Sequence, residues 1–227
     1  MDELRESPWR IGWTAAKANR LPGAVLWALA ATMVVAYYRC PQFAAMLEPL
    51  RRFQSSCGIL AAVANQVFFC GLVPCVFMLT VKDVRTEHPI AKAALQSVWC
   101  GMWGMIFVGI YGLQCRMFGT GHDFATLLAK TVFDQFVWAP LVPVPLSAVF
   151  FLWMGSGFSL SAVCAKCRRG FFSRVWLPNL ISSWCLWIPA VFAIYAFPPD
   201  LQVQVLGFVS SFWALMCLQI GKKVAVP

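Results

Sequence analysis

The sequence KTVFDQFVWAPLVPVP, Lys130 to Pro145, places a lysine, an aspartate and three prolines at the start of a long apolar segment. That segment extends from Gln135 to Ala165 without any Asp, Glu, Lys or Arg. An α-helix needs about 20 predominantly apolar residues to cross the hydrocarbon of a bilayer, and this segment exceeds that length. Ionisable side chains and broken backbone are costly in lipid. The sequence therefore predicts that protein or water surrounds this part of the chain.

Five further segments lack charged residues over comparable lengths. They are Leu21–Tyr38, Phe53–Val81, Ala93–Cys115, Val175–Pro199 and Leu201–Gly221. The chain is 60% hydrophobic and only 12% charged, which is typical of membrane proteins rather than of soluble domains. These features predict an all-α, polytopic helical membrane protein with about six hydrophobic helices, embedded in a lipid bilayer.

The net charge of +9 raises the question of an acidic partner. If six spans are assumed with the N-terminus inside, most of the Lys and Arg residues fall on the inner side. This bias follows the positive-inside rule, so the charge indicates topology rather than a ligand. No motif of interleaved basic and aromatic residues supports a nucleic-acid surface, and we expect no nucleic-acid partner.

Asn65 and Gln66 are polar residues within the second apolar segment. Each ends a row of small residues at helical spacing, and such rows let two membrane helices approach closely while amides hydrogen-bond between them. The rows are Cys57, Ala61 and Asn65, and Gly58, Ala62 and Gln66. Two interpretations stay open, namely packing alone or a polar lining.

Glycines at helical spacing mark the third apolar segment. They are Gly101, Gly104, Gly109 and Gly112. All four fall on one side of a helix. We therefore expect this side, and the row that holds Gly58 and Ala62, to be buried against other helices.

The segment before the second span, Pro41–Cys57, has apolar residues on one helical face and charged residues on the opposite one. The apolar residues are Phe43, Met46, Leu47, Leu50 and Phe53, and the charged residues are Glu48, Arg51 and Arg52. This pattern predicts an amphipathic helix that lies in the membrane interface.

Lys130, Asp134 and Gln135 are the strongest candidates for a functional polar site. Lys130 and Asp134 are one helical turn apart, so they can pair. One interpretation is a structural ion pair that ties this helix to a neighbour, with Asn65 or Gln66 as candidate contacts. The other is a polar lining beside a helix that prolines break, since intramembrane ionisable groups mark solute pathways. The proline positions of the predicted break are Pro140, Pro143 and Pro145, each of which removes a backbone donor.

Residues with the spacing of a catalytic or metal site are lacking. His88 and His122 fall in different loops, and Asp134 is the only aspartate associated with a span, so neither a serine nor an aspartyl intramembrane protease is supported. Cys164 and Cys167 are closely spaced, but a structural zinc site needs four ligands. We expect no catalytic, cofactor-binding or metal-ligating residues, no cofactor and no enzymatic activity.

The motif in the opening segment resembles a known signature. KTVFDQFVWAP is similar to the Lys, Asp-Gln, Ala-Pro signature of the Mpv-seventeen / peroxisomal membrane protein two family, and its residues have the spacing of that signature. They are Lys130, Asp134, Gln135, Ala139 and Pro140. Pro49 followed by GILAAVAN resembles the family's proline and glycine-rich helix, with Asn65 in the place of an aspartate. Further likenesses are the Arg-Thr of Asp83–Thr86, the prolines Pro178 and Pro189, and the late Trp213. The sequence departs from the family at Trp184-Cys185, where the family has Asn-Phe, and at Ala193, where it has arginine.

The resemblance implies a division of the chain and a function. It implies a four-helix core in residues 41–223, with its last unit split into a hairpin at FPPD. An N-terminal cytoplasmic tail and an extra span precede this core in residues 1–40, and a short tail follows in residues 224–227. The implied function is a weakly selective pore or channel for small solutes in a homo-oligomer. The alternative is a non-transporting structural or scaffold protein of membrane homeostasis. The implied location is the inner membrane of a prokaryotic cell, or else a mitochondrial inner or peroxisomal membrane.

Overall fold

The computed structural model describes residues 7–18, 20–80, 88–168 and 170–225. Within these ranges all regular secondary structure is helical, which confirms the predicted all-α class. The helices are α1 (Pro8–Ala18), α2 (Arg20–Arg39), α3 (Pro41–Cys57), α4 (Ile59–Thr80), α5 (Pro89–Phe118), α6 (Phe124–Leu141), α7 (Pro143–Gly155), α8 (Leu160–Arg168), α9 (Phe171–Tyr195) and α10 (Pro199–Ala225). Three of these described helices contain a π-helical turn, whose hydrogen bonds reach one residue further than in an α-helix. The turns are Val67–Leu72 in α4, Asp134–Trp138 in α6 and Phe171–Trp176 in α9.

Several helices are long and apolar enough to cross a membrane. Among the described residues, α4, α5 and α9 meet this requirement singly, with 22, 30 and 25 residues. Two bent pairs, α2 with α3 and α6 with α7, meet it when each pair is taken as one span. The described chain thus offers three to five candidate spans, as expected of a helical membrane protein. The count of six stays a prediction.

The chain turns by 102° between α2 and α3. Pro41 begins α3, and the preceding Cys40 is extended at φ −117° and ψ 102°. A proline disfavours helical backbone at the residue before it, which explains why α2 ends here. Leu47 is buried on α3, whereas Met46, Leu50 and Phe53 are 62%, 45% and 44% exposed. An amphipathic helix nearly perpendicular to its predecessor is the form expected at a membrane interface.

The chain divides into two compact units, each built from two segments. The first unit consists of Met1–Trp27 and Leu128–Ala190, and the second of Ala28–Leu127 and Val191–Pro227. In the first unit, α1 packs so closely on α9 that a Cβ on Gly12 would lie 2.8 Å from the Cβ of Ile181. The predicted N-terminal tail therefore contains a helix that belongs to this unit.

The second unit is organised around the contact between α4 and α5. A Cβ on Gly104 would lie 2.7 Å from the carbonyl oxygen of Ala62, and one on Gly101 would lie 3.2 Å from Val67. These two glycines are buried as predicted. The prediction is wrong for Gly109 and Gly112, which are exposed and would meet no atom within 4 Å of an added Cβ. They lie on the part of α5 that extends past the first residue of α4, so the small-residue row of α4 does not reach them.

The predicted proline turn forms between α9 and α10. Helix α9 ends at Tyr195 and α10 begins at Pro199. The hydroxyl of Tyr38 donates a 2.6 Å hydrogen bond to the carbonyl of Ala196, and the ring of Tyr37 packs against Phe197 at 5.4 Å. These contacts of α2 hold the turn within the second unit.

Candidate functional site

The predicted polar residues of α6 form one continuous buried face in the first unit. Lys130 is 1% exposed, Asp134 is 6% exposed and Gln135 is 2% exposed. Thr131, which is 4% exposed, belongs to the same face because positions i, i+1, i+4 and i+5 lie side by side on a helix. Asp134 is therefore directed into the protein rather than toward lipid. The pairing of Lys130 with Asp134 stays a prediction.

A hydrogen bond joins the two adjacent side chains of this face. The Gln135 amide nitrogen donates to the Asp134 carboxylate at 2.8 Å. The other amide atom of Gln135, Oε1, is buried and has no hydrogen-bond partner within the described residues. Buried polar atoms are nearly always hydrogen-bonded to protein or water. Gln135 Oε1 therefore has capacity to accept one more hydrogen bond at this face.

Pro140 leaves one backbone carbonyl of α6 without its usual partner. In the π-helical turn the N–H of Ala139 bonds the carbonyl of Asp134, five residues earlier. In the same register the carbonyl of Gln135 would need an N–H at position 140, and proline has none. The indole N–H of Trp184 satisfies that carbonyl instead, at 2.6 Å.

A second tryptophan of α9 acts in the same way at the end of α6. Carbonyls in the last turn of a helix lack intrahelical donors. The indole N–H of Trp176 donates to the carbonyl of Pro140 at 2.9 Å. Neither tryptophan was predicted to be a hydrogen-bond donor. The available signal was Pro140, which lacks an N–H. It indicates that the carbonyl of Gln135 is without a donor only if this turn is known to be π-helical.

The three prolines produce one bend rather than three interruptions. Pro140 lies within α6, and α6 and α7 are inclined at 44° around Val142, whose φ is −123° and ψ is −73°. Pro143 and Pro145 occupy the first turn of α7, where the backbone N–H groups have no intrahelical acceptor and their loss costs little. Ala139 and Val144, on either side of the bend, pack with Leu180 and with the two tryptophans.

Asn65 and Gln66 are buried on α4 in the second unit. Asn65 donates to the carbonyl of Val203 at 2.8 Å, and a Cβ on Gly207 would overlap its amide, so Asn65 fastens α4 to α10. Gln66 accepts from the thiol of Cys70 at 3.2 Å, while its amide nitrogen is buried without a hydrogen-bond partner in the described chain. This contact supports the packing interpretation of Asn65, and the polar-lining interpretation of both amides stays a prediction. The predicted contact of these amides with Asp134 stays a prediction.

The second unit buries several more carboxamides that the sequence analysis did not identify. They are Gln54, Gln96, Gln114, Gln202 and Gln204. Gln204 donates to Gln54 at 2.7 Å, and Gln96 donates to the carbonyl of Cys70 at 2.7 Å. Neither amide atom of Gln114 has a partner within the described residues. These residues were missed because spans were identified from the lack of charge, and glutamine is uncharged.

Groups that suit a metal ion are not found in the described part of the chain, where no three His, Cys, Asp or Glu side chains come together. Cys164 and Cys167 are free thiols on α8. The Arg-Thr of Asp83–Thr86 and the side chain of Trp213 lie outside what the structure describes.

The motif residues Lys130, Asp134 and Gln135 thus share one buried face, and Pro140 determines which carbonyl Trp184 must satisfy. Trp184 is one of the positions at which the sequence departs from the Mpv-seventeen / peroxisomal membrane protein two family. No family model, no curated protein and no solved structure matches the chain, so membership of that family stays a prediction.

Proposed function

We propose that the chain is an integral membrane protein that provides a weakly selective path for small solutes, and that the buried polar face of α6 lines this path. The observation that carries the proposal is the burial of Lys130, Asp134 and Gln135 beside a bend in an apolar helix pair. A charged group at the centre of a membrane helix costs about 2.5–3.5 kcal/mol on insertion scales. Water in a solute path would hydrate these groups and so lower this cost.

Two further features of the same face support the proposal. The open acceptor Oε1 of Gln135 can bind water or a solute hydroxyl. The π-helical turn starts at Asp134, and such turns occur often at functional sites. The proposal includes assembly into a homo-oligomer, in which each copy carries its own path beside the buried face of α6.

A structural role is the second candidate, and a different observation favours it. Trp184 and Trp176 donate to two carbonyls of α6, so the bend is fixed to α9 by hydrogen bonds that need no solute. In a scaffold protein, the polar face of α6 would only fasten helices to one another.

The decisive experiment measures flux through purified full-length protein in liposomes. A series of uncharged solutes of increasing size reports the width of any path, and the reversal potential in a KCl gradient reports its charge selectivity. The pore proposal predicts flux above that of protein-free vesicles, with a size limit. Flux equal to that of empty vesicles, with the protein shown to be folded and inserted, would favour the scaffold.

A further inference from the structure

The second unit contains a cavity that the polar face of α6 does not explain. Its volume is about 340 Å³, and it lies between the end of α3, the second half of α5 and the start of α10. Ligand cavities in proteins begin at about 300 Å³, so this one suits a small molecule. The residues that matter for its chemistry are Gln54, Tyr111, Gly112, Asp200 and Val203.

The exposed area of the walls is largely apolar although Ser55 and Thr120 also line the cavity, and among the described lining residues one, Asp200, is charged. Tyr111 and Val203 are 5% and 3% exposed and present their side chains to the interior of the unit. Gln54 has both amide atoms engaged, since its nitrogen donates to Gly58 and its oxygen accepts from Gln204. Gln54 is thus a fixed part of the wall. Asp200 is the lining residue that supplies charge.

The Asp200 side chain lines the cavity and is 33% exposed, so part of its carboxylate stays accessible beside its ion pair. Its Oδ2 contacts the Nε of Arg51 at 3.3 Å, and the same Nε contacts Glu48 at 3.1 Å. Glu48 also contacts the Nε of Arg52 at 3.0 Å, so two carboxylates and two guanidinium groups form one cluster of ion pairs. Arg51 does not line the cavity, whereas Asp200 does. A molecule in the cavity meets negative charge, an aromatic ring and apolar walls.

We propose that this cavity binds a small organic amine in its protonated form. The ammonium group would lie at the Asp200 carboxylate near the Tyr111 ring, since carboxylates and aromatic rings both attract cations. The alkyl part would contact Val203 and the apolar wall. A carboxylate ligand is repelled by Asp200, and a neutral alcohol of equal size lacks the charge interaction. This site would exist in a transporting and in a non-transporting protein, so it goes beyond the proposed function.

The test uses calorimetric titration of the purified full-length protein with propylammonium, propanol and propionate, in phosphate buffer free of amines. We expect saturable binding of propylammonium, binding of propanol that is weaker by about tenfold or more, and no binding of propionate. Asp200→Asn should weaken propylammonium binding by about tenfold and bring it close to that of propanol. Equal binding of propylammonium and propanol to the unaltered protein would overturn the proposal.

A glycine pair of α5 supplies a variant that fills the cavity and its matched control. A Cβ on Gly112 or on Gly109 meets no atom within 4 Å, so the first side-chain atom of a larger residue has space at either position. Gly112 lines the cavity and Gly109 does not. Gly112→Leu should abolish propylammonium binding and Gly109→Leu should leave it unchanged. Unchanged propylammonium binding by Gly112→Leu would show that the amine does not bind in this cavity. This test does not depend on whether Asp200→Asn folds.

Discussion

The indole nitrogen of Trp184 lies 2.6 Å from the carbonyl oxygen of Gln135, the backbone acceptor that Pro140 leaves without a donor. A helix that carries a proline can stay folded in an apolar setting only if other groups satisfy the freed carbonyl. In this chain α9 provides that group.

Trp184→Phe should therefore destabilise the protein by about 1–3 kcal/mol, because it leaves a buried carbonyl without a donor. Chemical unfolding in detergent measures the loss. Trp27→Phe is the matched control, since Trp27 donates to the Leu186 carbonyl of α9 at 3.0 Å and position 190, four residues later, is an alanine that keeps its N–H. In the Pro140→Ala background, which restores an N–H at position 140, Trp184→Phe should cost less. Equal losses for Trp184→Phe and Trp27→Phe would contradict this account.

Gly104 should tolerate no side chain, because an added Cβ would lie 2.7 Å from the carbonyl oxygen of Ala62. Gly104→Ala should destabilise the fold by about 1–3 kcal/mol through overpacking, and Gly104→Leu by more. Gly109→Ala, on the same helix with open space around it, should be neutral or stabilising by up to about 1 kcal/mol, because alanine favours helix. Thermal unfolding in detergent compares the two. If both glycines respond alike, α4 and α5 do not make this contact in the membrane.

The glycines of α5 show how far the sequence alone could predict this fold. Long apolar segments must form helices in lipid, since only internal hydrogen bonds can satisfy their backbone, and the described segments are helical. Spacing correctly predicted the burial of Gly101 and Gly104. It failed for Gly109 and Gly112 because the pattern within one helix does not reveal where its partner helix begins.

The candidate site was predictable to a similar extent. The position of Asp134 within a charge-poor region indicated that it must be buried. The donor role of Trp184 could not be predicted, because Pro140 frees the carbonyl of Phe136 in an α-helix and that of Gln135 in a π-helical turn. The buried glutamines of the second unit were missed because the apolar segments were defined by the lack of charged residues, and glutamine is uncharged.

Topology can be tested with reporter fusions. Those at residues 120 and 199 should lie on the opposite side of the membrane from those at residues 88, 168 and 227, because the distribution of basic residues predicts that both termini lie inside. The fusions on either side of α6 and α7 are the most informative. These helices are inclined at 44°, and only the two together are long and apolar enough to cross a membrane. Reporters at 120 and 168 on the same side would show that the pair does not cross.

Asp123 should cap α6 in a pH-dependent way. Its carboxylate accepts the Thr126 hydroxyl at 2.7 Å and the Thr126 backbone N–H at 3.0 Å, and these hydrogen bonds lower the pKa of Asp123. Because the folded pKa lies below the ordinary value, the cap's contribution to stability is present above the ordinary pKa. It is lost as the pH falls through the lowered one. The protection factors of amides in the first turn of α6, which are corrected for the intrinsic pH dependence of hydrogen exchange, should therefore fall in acid.

Thr126→Val separates the two hydrogen bonds of this cap, since it removes the hydroxyl and keeps the backbone N–H. The pKa of Asp123, measured by carbon NMR of the carboxyl group, should rise in this variant because the first cause of its depression is gone. Asp123→Asn, which still accepts hydrogen bonds as an N-cap, should abolish the pH dependence of these protection factors. An unchanged pKa in Thr126→Val would contradict the assignment.

Asp134 distinguishes the two candidate functions. Asp134→Leu removes the acceptor of the Gln135 amide, which donates to it at 2.8 Å in the unaltered protein. The buried amide donor is then unsatisfied, so the free energy of unfolding should fall by about 1–3 kcal/mol in a pore and in a scaffold alike. Asp134→Asn keeps an acceptor oxygen and removes the charge, so the fold should be retained. In a scaffold, the flux measured with this variant should equal that of the unaltered protein and of protein-free vesicles.

If Asp134 lines a solute path, Asp134→Asn should fold normally and shift the reversal potential in a KCl gradient toward anion preference, since a negative charge has left the lining. Asp123→Asn is the matched control, because it makes the same chemical change at the exposed start of the same helix and should leave selectivity unchanged. A shift of equal size in both variants would indicate a general effect of net charge and would remove Asp134 from the path. A shift confined to Asp134→Asn is the result that only a lining residue produces.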